Sequence, residues 1–181
     1  MPIGPLMVEH RWIERVIADL QGRLDEQSSR GRIDPPFVDR LVDFLRTYAD
    51  RCHHGKEEDI LFRDLSGRKL DSALDEIMHQ LTEEHDWARA TTKQLVAANA
   101  SLAAGDQAAL GDVRRLLGDL ASFYPEHIRK EDKRFFRPAM TYLARDEQDA
   151  MLQEFTAFDA SLVHERYRRI AEELAAEAAD S

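Results

Sequence analysis

Two stretches of the chain place a histidine four residues ahead of a glutamate in closely matching surroundings. The first is His53-His54-Gly55-Lys56-Glu57-Glu58-Asp59-Ile60-Leu61-Phe62-Arg63, and the second is His127-Ile128-Arg129-Lys130-Glu131-Asp132-Lys133-Arg134-Phe135-Phe136-Arg137. With Lys56 set on Lys130, the residues His53, Glu57, Phe62 and Arg63 fall on His127, Glu131, Phe136 and Arg137. Upstream of each stretch stands a Glu-His-x-Trp motif, Glu9-His10-Arg11-Trp12 and Glu84-His85-Asp86-Trp87. The offset is 75 residues for this motif and 74 for the other, so one pair of elements occurs twice.

The chemistry follows from the spacing. Residues four apart on a helix project from one face, one turn and about 40° of rotation apart. Each His-x-x-x-Glu therefore delivers an imidazole nitrogen and a carboxylate to one point beside its helix. Two such helices, with a histidine from each of two others, bring four nitrogens and two carboxylates to the centre of a bundle. Carboxylates there are costly unless a metal ion or protons neutralise them. Two bridging carboxylates hold two metal ions a few ångströms apart, and the mixed nitrogen and oxygen donors suit iron. The absence of paired thiolates argues against structural zinc, and the imidazoles argue against an all-oxygen magnesium or calcium site.

The elements that must position these groups are helical throughout. Apolar residues recur at helical spacing from about Leu6 to Gln27, ending in the polar breaker Ser28-Ser29-Arg30-Gly31. Asp34-Pro35-Pro36 reads as the start of a second helix, with Asp34 as N-cap, running to about Ser66-Gly67. A third runs from Asp71 or Ser72 to Ala104-Gly105-Asp106, and a fourth spans roughly Gln107 to Leu143. Pro125 lies inside the fourth, where a kink or local break is expected, and Pro138 marks a second bend. A fifth follows Asp146 and reaches about Ala179. No alternating strand pattern occurs. The expected fold is all-α: an up-down-up-down four-helix bundle over residues 6–145, with an additional C-terminal helix, residues 146–179, packed on it.

Composition sets the outer bounds. The 181 residues suffice for one sizeable core, and 43% hydrophobic with 33% charged residues fits a helix-rich globule. A formal net charge of -10 argues against nucleic acid or an anionic membrane as the partner. Cys52 is the single cysteine, which excludes an internal disulfide or iron–sulfur cluster. No apolar run is long enough to span a bilayer, and the N-terminal residues lack a signal pattern, so a cytoplasmic address is expected.

On these motifs the chain resembles the hemerythrin-like, HHE cation-binding family of non-haem di-iron proteins, from Met7 to about Leu143. The resemblance implies a four-helix bundle with two iron ions between the helices. It implies ligation by His10, His53, His85 and His127, bridging by Glu57 and Glu131, and an oxo or hydroxo bridge. Two features depart from the oxygen-carrying hemerythrins. A second histidine one turn from His85 is missing, with Leu81 and Arg89 at those positions, and the last motif is read in the register His127-x-x-x-Glu131 rather than in the His-x-x-x-x-Asp register, which Asp132 would fit. The pattern is closer to bacterial stress-response and iron-sensing branches than to oxygen carriers. The residues ahead of His10 hold no cysteine, so the cysteine-bearing extension of some iron–sulfur-repair members is not expected.

Three further histidines remain. His54 lies about 60° from Glu57 around the helix, so it reads either as an extra iron ligand or as a rim residue. An iron-sensing branch of the family resembles this arrangement. His164, or Tyr167 beside it, reads either as a ligand completing the third helix's set or as a packing residue. His79 points away from His85 and reads as structural. Cys52 reads as packing between helices, Trp12 and Trp87 as core or rim fillers, and Leu61, Phe62, Phe135 and Phe136 as an apolar shell that limits water. The resulting expectation is a di-iron protein that binds or reacts with oxygen, peroxide or nitric oxide at an open coordination position. The alternatives are an iron- or oxygen-responsive sensor or interaction module, and an iron-donating repair protein.

Overall fold

The computed structural model describes the backbone of residues 1–30 and 33–179, and the side chains of residues 1–25 and 33–162. Five helices make up the described residues. Helix α1 is Ile3–Arg30. Helix α2 spans 35–66: it starts as α-helix over Pro35–Phe44, becomes π-helical over Leu45–His54 and Glu57–Phe62, and closes with an α turn at Arg63–Ser66. Helix α3 is Ser72–Ala103. Helix α4 spans 109–142, with α-helix over Ala109–Lys130, a π turn at Glu131–Phe135, a further α turn at Phe136–Ala139 and a 3₁₀ turn at Met140–Tyr142. Helix α5 is Arg145–Ala179. No strand occurs among the described residues.

The ends follow from local chemistry. Asp71 caps α3 with its carboxylate, accepting the N–H groups of Ala73 and Leu74 at 3.1 and 2.9 Å. Helix α3 ends in a Schellman motif: Asp106 N–H donates to the Ser101 carbonyl and Gly105 N–H to that of Leu102, with Gly105 at a φ of 99° that favours glycine. Asp34 stands at the N-cap of α2 as its sequence suggests, but its side chain makes no capping bond. Pro35 and Pro36 begin the helix, and Pro35 has no N–H to cap.

Of the kink or local break expected at Pro125, the break does not occur: the α-helix runs through it from Ala109 to Lys130, and the proline's defect is repaired from outside the helix. A proline cannot donate to the carbonyl four residues back, here Ala121. The side-chain amide of Gln21 on α1 donates to the Ala121 oxygen at 3.1 Å instead. The irregular stretch lies further on, at the Glu131–Phe135 π turn, where Phe136 N–H reaches back five residues to the Glu131 carbonyl.

Apolar residues form two separate cores. One holds Ile13, Ile17, Leu20, Leu41, Leu45, Leu95, Val113, Leu120 and Ile128 among others. The second holds Leu6, Ile60, Phe62, Leu65, Leu81, Phe135, Phe136 and Met140, together with Met151 and Phe155 of α5. Helices α1 and α3 run from the second core to the first, and α2 and α4 run back, which gives the up-down-up-down order. Between the cores, every helix of the bundle crosses one polar layer.

Gln21→Ala is expected to cost about 0.5–1.5 kcal/mol in urea unfolding by removing the acceptor's partner. In a Pro125→Ala background, the restored backbone N–H serves Ala121, and the same substitution should then cost less than half as much. Equal costs in both backgrounds would show that Gln21 does not repair the proline.

Candidate metal centre

The polar layer is built from His10 on α1, His53, His54 and Glu57 on α2, His85 on α3, and His127 and Glu131 on α4. All seven are 2% exposed or less. Each is delivered by apolar neighbours that fix the height of its helix. Leu6 and Ile13 lie on either side of His10, Ala49 and Ile60 bracket the α2 residues, and Ile128 and Phe135 bracket Glu131. The π turns matter here, because i→i+5 bonding narrows the angle between successive side chains. Gly55 N–H bonding to the Asp50 carbonyl records this geometry, in which His53, His54 and Glu57 all face inward.

The donor atoms fall into two groups, each within 4.8 Å of one another: His10, His53, Glu57 and Glu131 in one, and His54, His85 and His127 in the other. The carboxylates span both groups. Glu57 directs Oε1 to His53 Nε2 at 3.6 Å and Oε2 to His85 Nε2 at 3.4 Å. Glu131 directs Oε2 to His10 Nε2 at 3.1 Å, and Oε1 to His127 Nε2 at 3.2 Å and His85 Nε2 at 3.7 Å. None of these approaches is a hydrogen bond. The four Nε2 atoms and all four carboxylate oxygens are buried without a hydrogen-bond partner.

Outward, four of the imidazoles are held by carboxylates. His10 Nδ1 pairs with Asp132 at 2.9 Å, His53 Nδ1 with Glu9 at 2.9 Å, His85 Nδ1 with Glu58 at 2.6 Å, and His127 Nδ1 with Glu84 at 2.7 Å. A carboxylate there holds a proton on Nδ1 and so turns Nε2 to the interior, the orientation in which a neutral imidazole ligates a metal. Lys56 bonds Glu9, Lys130 bonds Glu84, and Arg11 bonds Asp132. Arg89 joins Glu58 at 2.7 Å to Asp50 at 2.7 Å. Phenyl rings stack in the same paired way, Phe136 on His10 and Phe62 on His85.

Charge in this layer is strongly coupled. Burial, reinforced by the neighbouring Glu131, pushes the Glu57 carboxyl well above its usual range. Burial opposes ionisation of Glu131 as well, but the charge of His127 and contacts from His10 and His127 outweigh it and hold Glu131 well below. Burial lowers His10 and His127 too, yet Asp132 and Glu131 for the first, and Glu131 and Glu84 for the second, raise each to about 9. Burial keeps His53 and His54 neutral, the form that ligates metals. Two fully buried carboxylates require positive charge beside them, from protons on the facing imidazoles or from a cation. The donor set of imidazole and carboxylate fits a transition-metal cation.

A family model for the hemerythrin HHE cation-binding domain matches residues 1–139. The chain belongs to that family. Among curated proteins and among solved structures, no significant match was found. The HHE domain thus covers the bundle, and its cation-binding character agrees with the orphaned donors in the layer.

The HHE domain brings seven of the eight residues singled out in the sequence into one layer. His54 stands in it, its ring stacked on His85 with 3.8 Å between centroids. His164 and the neighbouring Tyr167 lie outside the described side chains. His79 is a correction: its side chain is 72% exposed, with Asp75 one turn away at 3.9 Å, so it does not pack. Trp12 and Trp87, 53% and 42% exposed, sit on the rim rather than in the core. Cys52 lies between α2 and α5, where its thiol faces Asp159 at 3.4 Å and burial pushes it up to about 12.

The carboxylates behind the histidines, Glu9, Glu58, Glu84 and Asp132, are not apparent from the four-residue spacing. Their signal lies in the repeat: an acid precedes His10 and His85, and another follows Glu57 and Glu131. Asp132→Ala and Glu58→Ala should each weaken metal affinity about 10–100-fold in chelator competition, with the helical content unchanged. Wild-type affinity in both variants would show that these acids do not orient the ligands.

Proposed function

We propose that the layer holds a carboxylate-bridged pair of iron ions and that the protein binds or reacts with oxygen, peroxide or nitric oxide there. The observation that carries this reading is the divided aim of each glutamate, one oxygen toward each histidine set, with all four carboxylate oxygens and the Nε2 atoms of His10, His53, His85 and His127 lacking a hydrogen-bond partner. His10 and His53 would ligate one ion, His54, His85 and His127 the other, and Glu57 and Glu131 both. Together with an oxo or hydroxo bridge, this set would offer six donors to the ion with three histidines and five to the ion with two. When bound, the iron pair would supply an open position and reversible one-electron chemistry to a small ligand.

The chain's own residues do the rest. Four outward carboxylates fix imidazole orientation, and Phe62, Phe135, Phe136 and Leu61, all buried, keep bulk water from the layer. A cytoplasmic setting suits a site with one thiol and no disulfide.

A second reading, an iron- or oxygen-responsive sensor, draws support from one specific connection. His53 Nδ1 meets Glu9, Glu9 bonds Lys56, and Lys56 Nζ bonds Asp159 of α5 at 2.8 Å. A change at the histidine therefore has a polar path to the C-terminal helix.

Purified protein should hold close to two irons per chain and absorb in the near ultraviolet through the bridge. Glu57→Ala and Glu131→Ala should each abolish the pair, and full loading of either variant would overturn the assignment. Mixing the reduced protein with oxygen, peroxide and nitric oxide, followed by spectroscopy, then selects the ligand. For the sensor reading, limited proteolysis of α5 should differ at least several-fold between iron-free and iron-loaded protein, and equal cleavage would count against it.

A further inference from the structure

His54 is held differently from the other four histidines of the layer. Their Nδ1 atoms meet carboxylates at 2.6–2.9 Å. The Nδ1 of His54 is buried without a hydrogen-bond partner, and the Asp50 oxygen that faces it stands 3.7 Å away. That same oxygen is engaged by Arg89 Nε at 2.7 Å, and Arg89 is in turn held by Glu58. Asp50 is thus drawn toward α3 and away from the imidazole.

The ring also borders open space. A cavity of about 380 Å³ lies between α2 and α3, lined by His54, Asp50, Ala88, Thr92 and Tyr124, with Arg46, Lys93 and Val96 exposed around it. It has room for roughly a dozen waters at about 30 Å³ each, so it can take an imidazole and a small ligand together. Arg89 there is balanced by Asp50 and Glu58, and Arg46 and Lys93 add positive charge at the rim, which favours a small monoanion on an otherwise acidic chain. A second depression, about 900 Å³, reaches His127. There Glu84 and Lys130 cover the outer nitrogen, and the Phe123 ring stacks on the imidazole at 5.0 Å. That face of the site is closed by bonded neighbours.

We propose that His54 is an exchangeable ligand, whose ring leaves the ion shared with His85 and His127 and turns into the α2–α3 cavity to admit a small monoanion by that route. The inference rests on the iron pair proposed above. The exchange would replace the dative bond from the His54 nitrogen by one from the incoming anion, with no electron transferred. It makes the ion with three histidines a second point of entry, besides the ion that has an open position from the start.

Stopped-flow mixing of the di-iron protein with azide tests this, with iron content measured first for every variant. In the wild type, one phase of azide binding should reach a plateau rate at high azide, because ring departure becomes limiting. Asp50→Glu, which extends a carboxylate toward His54 Nδ1, should lower that plateau several-fold. His54→Ala should retain two irons and lose the plateau, its rate rising in proportion to azide. Val96→Trp, at the cavity mouth, should slow the phase about tenfold or more at low azide, and Ser122→Trp in the other depression should leave it unchanged. A wild-type rate that rises linearly without limit, a plateau that survives in His54→Ala, an unchanged rate in Val96→Trp, or a single iron in His54→Ala would each overturn the proposal. A wild-type protein without two irons would instead overturn the reading beneath it.

Discussion

Two carboxylates at the centre of the bundle, Glu57 and Glu131, dictate how the rest of the molecule is arranged. Each is wholly buried, and none of their four oxygens has a hydrogen-bond donor. A helical bundle of this size has ample apolar residues to fill its middle, yet here the core is split in two so that a polar layer passes between. Unbalanced, that layer would destabilise the fold by several kcal/mol per charge. The surrounding acids, lysines and arginines belong to the same balance, because they hold the inward-facing histidines in place without neutralising the glutamates directly. Cation binding is the property that makes such a layer tolerable, and it is the property of the family to which the chain belongs.

The duplication explains most of this layer and also shows where the halves part. Glu9 with Lys56 serves His53 as Glu84 with Lys130 serves His127, and Asp132 serves His10 as Glu58 serves His85. The two copies diverge on the outer face of the second helix. Gly55 corresponds to Arg129 and Cys52 to Glu126 at the 74-residue offset, and Arg129 and Glu126 form an exposed ion pair. At Gly55 a Cβ would lie 2.8 Å from the ring of Phe158, so the missing side chain lets α5 sit directly on α2. Asp159 and Glu154 then engage Lys56 and Arg63. Among the described residues, this helix covers the outer face at Gly55, whereas the matching Arg129 is exposed.

Much of the centre is legible in the amino-acid sequence, because four-residue spacing on a helix is a geometric statement and its repetition is hard to obtain by chance. His10, His53, Glu57, His85, His127 and Glu131 are all identifiable in this way. What stays hidden depends on contacts between helices. The acids behind the histidines come from a different helix than the ring they hold, as Asp132 does for His10, so spacing along one helix cannot find them. The repair of Pro125 is of the same kind, since Gln21 lies 100 residues from the carbonyl it bonds. The position of His54 depends on the π turns, which no propensity announces and which change the angle at which consecutive histidines leave the backbone.

That position alters the significance of the gap on the third helix. Where a second histidine would follow one turn from His85, the chain has Arg89, and Arg89 is engaged elsewhere, holding Glu58 and Asp50 across the α2–α3 boundary. The third imidazole of that donor group is supplied from α2 instead, by His54. The substitution is not equivalent in mechanical terms. A histidine on the third helix would have come from a regular α-helix, whereas His54 closes a π-helical run and lacks the outward carboxylate that steadies the others. An outer hydrogen bond is what steadies a histidine toward a metal, so on the di-iron reading a third histidine on α2 in place of α3 would keep the number of donors while leaving one of them without that hold.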